Sequence, residues 1–321
     1  MFIAKEREIK KVKGPILIIG AGGFIGYNIL LKFLETRLDI YGIVKHKNSW
    51  RLKEFKEKSK LIVCDITNKE KVNKVFKKIK PQTIINCSAY GAYANQEDIN
   101  RIYEVNFLST VNILDILTKH NFSAYIHCGS SSEYGFNSSA PIESATLLPD
   151  SHYAVSKAAV SHLISYYGKK IKKPVIHLRL YSVYGPWEES SRLIPKIVEH
   201  GLKQKLPKLV ASQISRDFIY IDDVFDAFVH LANNIKPQHW GETYNLGTGI
   251  KTTIKTLANL ARVLYNIKKP IKFGSMKNRK WDLADWYANP KKIHRDFNWK
   301  YKIKLKDGLK LITAWQKSQS K

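Results

Sequence analysis

The chain is poor in several residue types at once. Of its 321 residues only three are cysteine, two are methionine and 11 are proline, and 27 acidic residues stand against 54 Lys and Arg. No apolar run approaches the roughly 18 residues that cross a bilayer, which argues against a spanning helix. The opening "MFIAKEREIKKVKG" alternates charge with apolar residues, so it reads as neither signal peptide nor anchor, and a cytoplasmic protein is expected. Cys64, Cys87 and Cys128 each close a strand-like run with no partner at metal-ligand spacing. They read as small core residues, not as ligands or disulfides, and no metal site is expected.

The shortage of acid leaves a formal net charge of +27. Taken alone, that charge points to nucleic acid, an anionic membrane or another polyanion. The excess, however, is mostly lysine spread over helical stretches such as "KEKVNKVFKKIK" (Lys69 to Lys80), the pattern of a solvated surface. The expectation is therefore no nucleic acid and no membrane insertion. The length suits about two domains or one large α/β unit with a full core.

Short apolar runs alternate with helical patterns through the first half: "PILIIG" (Pro15 to Gly20), "DIYGIV" (Asp39 to Val44), "KLIVC" (Lys60 to Cys64), "TIINCSA" (Thr83 to Ala89), "AYIHCG" (Ala124 to Gly129) and "VIHLRLYS" (Val175 to Ser182). Strands buried on both faces look like this, which predicts an α/β fold of Rossmann type, a doubly wound parallel sheet over residues 1–180. After Gly185 the rhythm changes to loops rich in Trp and Pro, read as a smaller substrate-binding lobe over 181–321. Segments near 216–248, "RDFIYIDDVFDAFVHLA" and "GETYNLGTG", look sheet-associated again and make the lobe interleaved.

"GAGGFIG" (Gly20 to Gly26) follows the first strand and opens a helix, the context of a dinucleotide-binding turn. Gly20 makes the turn, Gly23 lets backbone amides near Phe24 and Ile25 approach a pyrophosphate, and Gly26 lets the helix lie close on the strand. "YAVSK" puts Tyr153 and Lys157 four apart on one helix face, where the ammonium is expected to favour the phenolate and suit the pair to proton transfer. Tyr-x-x-x-Lys also occurs at Tyr41, Tyr166, Tyr265 and Tyr287, so position is what distinguishes Tyr153: it lies some twenty residues beyond "HCGSSSEYG" (His127 to Gly135), a serine run at a strand end. A hydroxyl there could polarise the carbonyl that Tyr153 protonates, or simply cap a helix.

Together these motifs, with "VCDIT" (Val63 to Thr67), "INCSAYGAY" (Ile85 to Tyr93), "VNFLSTVNIL" (Val105 to Leu114), "LRLYSVYGP" (Leu178 to Pro186), "RDFIYIDDV" and "YNLGTG", resemble the extended short-chain dehydrogenase/reductase family of nucleotide-sugar epimerases, dehydratases and reductases. The resemblance implies Tyr153 as proton donor, Lys157 as its modulator and ribose ligand, and a serine as third member: Ser130 by ungapped matching, Ser131 if one residue is gapped. It places Asp65 and Ile66 by the adenine, Ala89 by the nicotinamide and Asn106 in the supporting network. Arg216 and Arg279 fall on the sugar-nucleotide diphosphate, and Arg192 and Ser182 in the substrate lobe, Ser182 standing where asparagine is common. His152, Trp187 and Trp281 are candidates for a substrate contact or for plain packing. Helices near Asn100 to Lys119 and Tyr153 to Lys169 imply a homodimer.

The reaction turns on one further absence. Dehydratases of this kind carry an Asp-Glu pair directly after the active-site hydroxyl, but here Ser131 and Ser132 follow Ser130 and Glu133 comes one position late, which demotes dehydration. An acid at the end of the second strand accepts from both ribose hydroxyls of NAD and repels the 2′-phosphate of NADP. This chain has Lys45, His46, Ser49 and Arg51 there instead. NADP(H) is therefore favoured over NAD(H), and the expected activity is NADPH-dependent reduction of a 4-keto-deoxy sugar nucleotide for surface glycans. "GSSSEYG", "GAYANQ" and "YSVYGPWEESSRLIP" are most similar to the CDP-abequose and CDP-paratose synthase branch. Two alternatives stay open: an NAD-dependent nucleotide-sugar epimerase, and a Rossmann-fold regulator that binds nucleic acid.

Overall fold

The computed structural model describes residues 5–53, 55–93, 95–277 and 283–319. In chain order the strands are β1 (Ile16–Ile19), β2 (Ile40–Val44), β3 (Leu61–Val63), β4 (Thr83–Asn86), β5 (Ala124–Ser130), β6 (Val175–Leu180), β7 (Ser182–Tyr184), β8 (Ser215–Arg216), β9 (Phe218–Tyr220), β10 (Thr243–Leu246) and β11 (Thr252–Thr253). The helices are α1 (Glu6–Lys11), α2 (Phe24–Leu34), α3 (Lys69–Ile79), α4 (Ile99–Tyr103), α5 (Ser109–Thr118), α6 (His152–Lys169), α7 (Leu193–Leu202), α8 (Ile221–Asn234), α9 (Ile254–Leu264), α10 (Lys291–Phe297) and α11 (Leu305–Gln319).

Seven strands pair in parallel in the order β10-β6-β5-β4-β1-β2-β3, with helices on both faces, as the apolar runs predict. Alternation along β1 sends Ile16 and Ile18 into one core, with Phe33, Phe225 and Phe228, and Leu17 and Ile19 into the other, with Phe76, Ile113 and Ile164. Chain direction across the sheet reverses between β1 and β4, so a crevice opens at the carboxyl ends of these two strands. The glycine turn after β1, Ser130 at the end of β5 and Lys157, which reaches the Ser88 and Cys128 carbonyls, lie around that crevice.

The second half departs in part from the sequence expectation. Thr243–Leu246 does join the sheet, on β6. Residues 215–220 do not: β9 pairs with β7 and β8 with β11, two small ladders outside it. The rest of that segment is α8, because Ile221, Val224, Phe225, Phe228 and Leu231 recur at helical spacing and bury one stripe. Among the described residues no helix is long and apolar enough to cross a membrane.

Candidate active site

The glycine turn has the geometry its spacing implies. Gly20 has φ +81°, a conformation only glycine adopts without strain. A Cβ at Gly26 would collide with the Gly20 carbonyl, so the helix can lie on the turn only with glycine there. Gly23 is the N-cap of α2 and has no side chain to cap it, leaving the first-turn amides of Phe24, Ile25 and Gly26 pointing out of the helix end. This eleven-residue helix thus presents amide donors and its positive dipole end at the crevice, and the cradle fits a dinucleotide pyrophosphate.

Beyond β2, Lys45 and His46 are exposed, and the Ser49 hydroxyl donates to the Gly22 carbonyl, closing the turn. Arg51 does not join them at the surface. It is buried, its Nε donates to the Trp187 carbonyl at 2.7 Å, its guanidinium stacks 4.4 Å from the Trp50 ring centroid, and Nη2 lies 3.6 Å from Glu189. The expected phosphate ligand therefore ties the nucleotide-binding half to the turn after β7. Asn28 does the same from α2, donating to the Pro186 carbonyl. Trp187, φ +66°, packs against Tyr27, Trp50 and Trp315, so its ring is part of this junction rather than a free platform.

Asp65 follows β3. Its carboxylate accepts from the Thr67 amide and hydroxyl and pairs with Arg101 at 2.9 Å; burial pushes its pKa up, but these contacts outweigh it and the net shift is down. Ile66 beside it is buried, and Ala89 is exposed just past β4. Asn106 sits in a π-helical turn, Glu104–Leu108, between α4 and α5. Its side chain brackets the Tyr90 peptide, accepting from the nitrogen and donating to the oxygen, and also donates to Ser156.

Helix α6 starts at Ser151, whose hydroxyl accepts from the Ala154 amide, and one turn brings Tyr153 and Lys157 to the crevice. Lys157 is buried, and its Nζ donates to the Cys128 carbonyl at 2.9 Å and the Ser88 carbonyl at 3.4 Å. Burial lowers its pKa, although Glu133 and two thiols work against this. Of the two candidate serines, Ser130 reaches Tyr153 and lowers the pKa of its phenol, its own hydroxyl lying 3.0 Å from that of Ser132, whereas the Ser131 hydroxyl accepts from the Trp286 indole at 2.9 Å. Against the expected help from Lys157, burial opposes ionisation of the phenol. Burial pushes Tyr153 up to about 12, with Ser130 and the charge of Arg192 only partly opposing it.

The remaining expectations scatter. Arg192 lies over the Tyr93 ring and its charge reaches Tyr153. Arg216 stacks on Trp286 and donates to the Ser215 carbonyl. The Ser182 amide is in the β7–β9 ladder, donating to the Asp217 carbonyl. His152 lies 3.1 Å from the Tyr103 hydroxyl. Arg279 and Trp281 lie outside the described residues. Two features escaped the sequence reading. Cys87, just past β4, and Cys128, within β5, have their sulfurs 3.4 Å apart, and Glu133 is fully buried between His177 and Arg179. Only the period-two spacing of His177 and Arg179 in "VIHLRL" hinted at the latter.

Fold and site together define a Rossmann-type α/β protein in which a glycine turn and the side chains of Ser130, Tyr153 and Lys157 meet at one crevice. A family model described as the NAD dependent epimerase/dehydratase family matches residues 16–247, and the chain belongs to that family. It is 27% identical to a putative UDP-glucose 4-epimerase of Methanocaldococcus jannaschii over 95% of this chain and 99% of that protein. Among solved structures it is similar to the UDP-glucose 4-epimerase of Thermotoga maritima with UDP-glucose, at TM-score 0.85 and 20% identity, covering 95% of this chain and 99% of that one. It is also similar to the UDP-glucuronic acid 4-epimerase of Bacillus cereus in complex with UDP-glucuronic acid and NAD, at TM-score 0.80 and 23% identity, covering 95% and 99%. At these identities the structural likenesses bear on the fold.

Proposed function

We propose that the chain is an NAD-dependent nucleotide-sugar 4-epimerase acting on a UDP-hexose or UDP-hexuronate. The observation that carries this reading is the committed state of the groups around Tyr153. Inversion at C4 moves one proton, on and off O4, whereas dehydration needs further acid–base groups for the protons and hydroxyl it removes. Ser130 and Tyr153 suffice for the first. For the second, Ser131 is bound to Trp286 and the Glu133 carboxylate is fully engaged by Ser130, His177 and Arg179.

NAD held on the Gly20–Gly26 turn supplies the hydride acceptor and donor. Tyr153, as the phenolate, takes the proton from the C4 hydroxyl and then returns it as the phenol, with Ser130 orienting the oxygen and the buried Lys157 ammonium favouring the phenolate form. Arg192 and Arg216 are the guanidinium candidates for the sugar-nucleotide diphosphate. The relatives' names support epimerisation, and the burial of Arg51 removes one of the cationic groups counted toward NADP. Exposed Ile99, Leu108, Val155 and Tyr166 on α4, the π-turn and α6 support a homodimer through this face.

Lys45 and His46, exposed where an acid would select NAD, favour a second reading, NADPH-dependent reduction of a 4-keto sugar nucleotide as in the CDP-abequose synthase branch. One experiment separates the two. The nucleotide carried by purified protein is identified, and UDP-glucose and UDP-glucuronic acid are then followed by NMR for inversion at C4. Retained NAD with inverted product is the expected result. An empty protein that binds NADPH at least tenfold more tightly than NADH and inverts neither sugar overturns it.

A further inference from the structure

Beneath the Ser130–Tyr153–Lys157 unit runs a chain of buried polar side chains that proton transfer itself does not use. At one end Asn86 accepts from both the amide and the hydroxyl of Ser88, whose carbonyl receives Lys157. Asn86 donates to the Tyr125 hydroxyl, which lies 3.3 Å from His127 Nδ1. The His127 ring stacks on His177, centroids 5.4 Å apart and planes 7° from parallel, because the two residues are register partners on β5 and β6. At the other end is Glu133, its side chain fully inaccessible to solvent. One carboxylate oxygen accepts from the Ser130 amide at 2.8 Å and lies 2.8 Å from His177 Nε2, and the other accepts from Arg179 Nε at 2.7 Å.

The local sequence builds this contact. Ser130 is the N-cap of the single turn 131–134, with its hydroxyl on the Ser132 amide and Glu133 reaching back to its own amide, a reciprocal capping box. A Cβ at Gly129 would collide with His177 Nε2 and Glu133 Oε1, so the meeting of carboxylate and imidazole requires glycine there. Burial pushes Glu133 up, but His177 and Arg179 hold it below its ordinary range; burial pushes His177 down, leaving a neutral imidazole that donates through Nε2. The pair of Glu133 and Arg179 is therefore ionic and buried, an arrangement that serves stability poorly for the desolvation it incurs.

We propose that Glu133 is a positioning residue for proton transfer: held by Arg179 and His177, its carboxylate fixes the Ser130 amide, and hence the Ser130 hydroxyl against Tyr153, and places a negative charge behind Tyr153 and Lys157. This rests on the reading of Tyr153 as the proton-transfer group. Glu133 is faced by Ser130 on β5, His177 and Arg179 on β6, Tyr134 in its own turn, and Tyr153 and Lys157 on α6. Tyr153 is reached by Ser130, Glu133, Cys128 and Arg192. Since an anion opposes ionisation of a phenol, removing it lets Tyr153 ionise at lower pH.

The test is Glu133→Gln in the NAD-loaded enzyme, with the double variant E133Q/R179M, which replaces the ion pair by neutral groups of similar volume, used if the single variant does not fold. The expected result is a kcat for C4 inversion lowered by about tenfold to a hundredfold with KM little changed, as for a misplaced reacting group, and a rising limb of the pH profile moved to lower pH. A substrate-independent readout is NMR of protein labelled at the tyrosine ring carbon bearing the hydroxyl, with the Tyr153 signal assigned by Tyr153→Phe. That signal should titrate at lower pH in the variant. A folded variant with wild-type kcat, pH profile and Tyr153 titration overturns the proposal. Wild-type protein that inverts neither UDP-glucose nor UDP-glucuronic acid tells against the epimerase reading alone, and the Tyr153 titration still decides the role of Glu133.

Discussion

Arg51→Met tests which half of the molecule owns Arg51. Methionine keeps most of the side-chain length and removes the charge. In the folded chain the bond to the Trp187 carbonyl is charge-assisted and contributes about 1.5–3 kcal/mol. Stacking on Trp50, which is 41% exposed, adds about 0.5–1 kcal/mol. The Glu189 pair, at 3.6 Å with a partly exposed carboxylate, adds less than about 1 kcal/mol. Desolvation of the guanidinium, which lowers its pKa, offsets part of this in the wild type. A net loss of about 2–3 kcal/mol remains. With an unfolding entropy of about 2.1 cal/mol/K per residue over the whole chain, Tm should fall by about 3–4 °C in a thermal melt followed by circular dichroism. Because the guanidinium is not at the end of β2, the ratio of NADPH to NADH affinity in a fluorescence titration should stay within about threefold of wild type, well under the tenfold that 1.4 kcal/mol would produce. An unchanged Tm together with a tenfold or larger shift in that ratio would refute the reasoning and return Arg51 to the 2′-phosphate.

Ser130→Ala should lower kcat by about a hundredfold, since it removes the hydroxyl partner of Tyr153. Ser131→Ala, which loses the Trp286 bond, should leave kcat within a few-fold and cost about 1 kcal/mol in a denaturant melt. Gly26→Ala should abolish dinucleotide binding measured by calorimetry, because the added methyl forces α2 away from the Gly20 carbonyl. Burial raises the Glu188 carboxyl from 4.5 to about 8, Arg192, the Gly185 amide and Arg51 only partly opposing it. Its folded pKa lies above the unfolded one, so its contribution to stability is complete below 4.5 and lost as pH rises through 8. Glu188→Gln should therefore gain in Tm relative to wild type between pH 5 and 8 and hold that gain above pH 9; a difference independent of pH would count against this.

The sequence by itself determined the parallel sheet, the glycine turn and the Tyr153–Lys157 helix. Each is local: four to seven consecutive apolar residues make a strand buried on both faces, Gly20 and Gly26 are needed by a turn whose atoms lie within seven residues, and a spacing of four is one helical turn. The different surroundings of Ser130 and Ser131 were only half legible, because an index along the chain cannot say where two adjacent hydroxyls point; a capping box holds the first and the Trp286 indole, 155 residues away, the second. The fate of Arg51 and the ionisation of Tyr153 were not legible at all. A cationic run after a strand looks the same whether its arginine faces solvent or a carbonyl 136 residues downstream, and a lysine one turn away says nothing about how much water reaches the phenol. Glu133 shows the same division. The sequence places it one position too late for a dehydratase, but only the register of β5 against β6 brings it to His177 and Arg179, since partners on neighbouring parallel strands are chosen by the whole sheet and not by the residues around them.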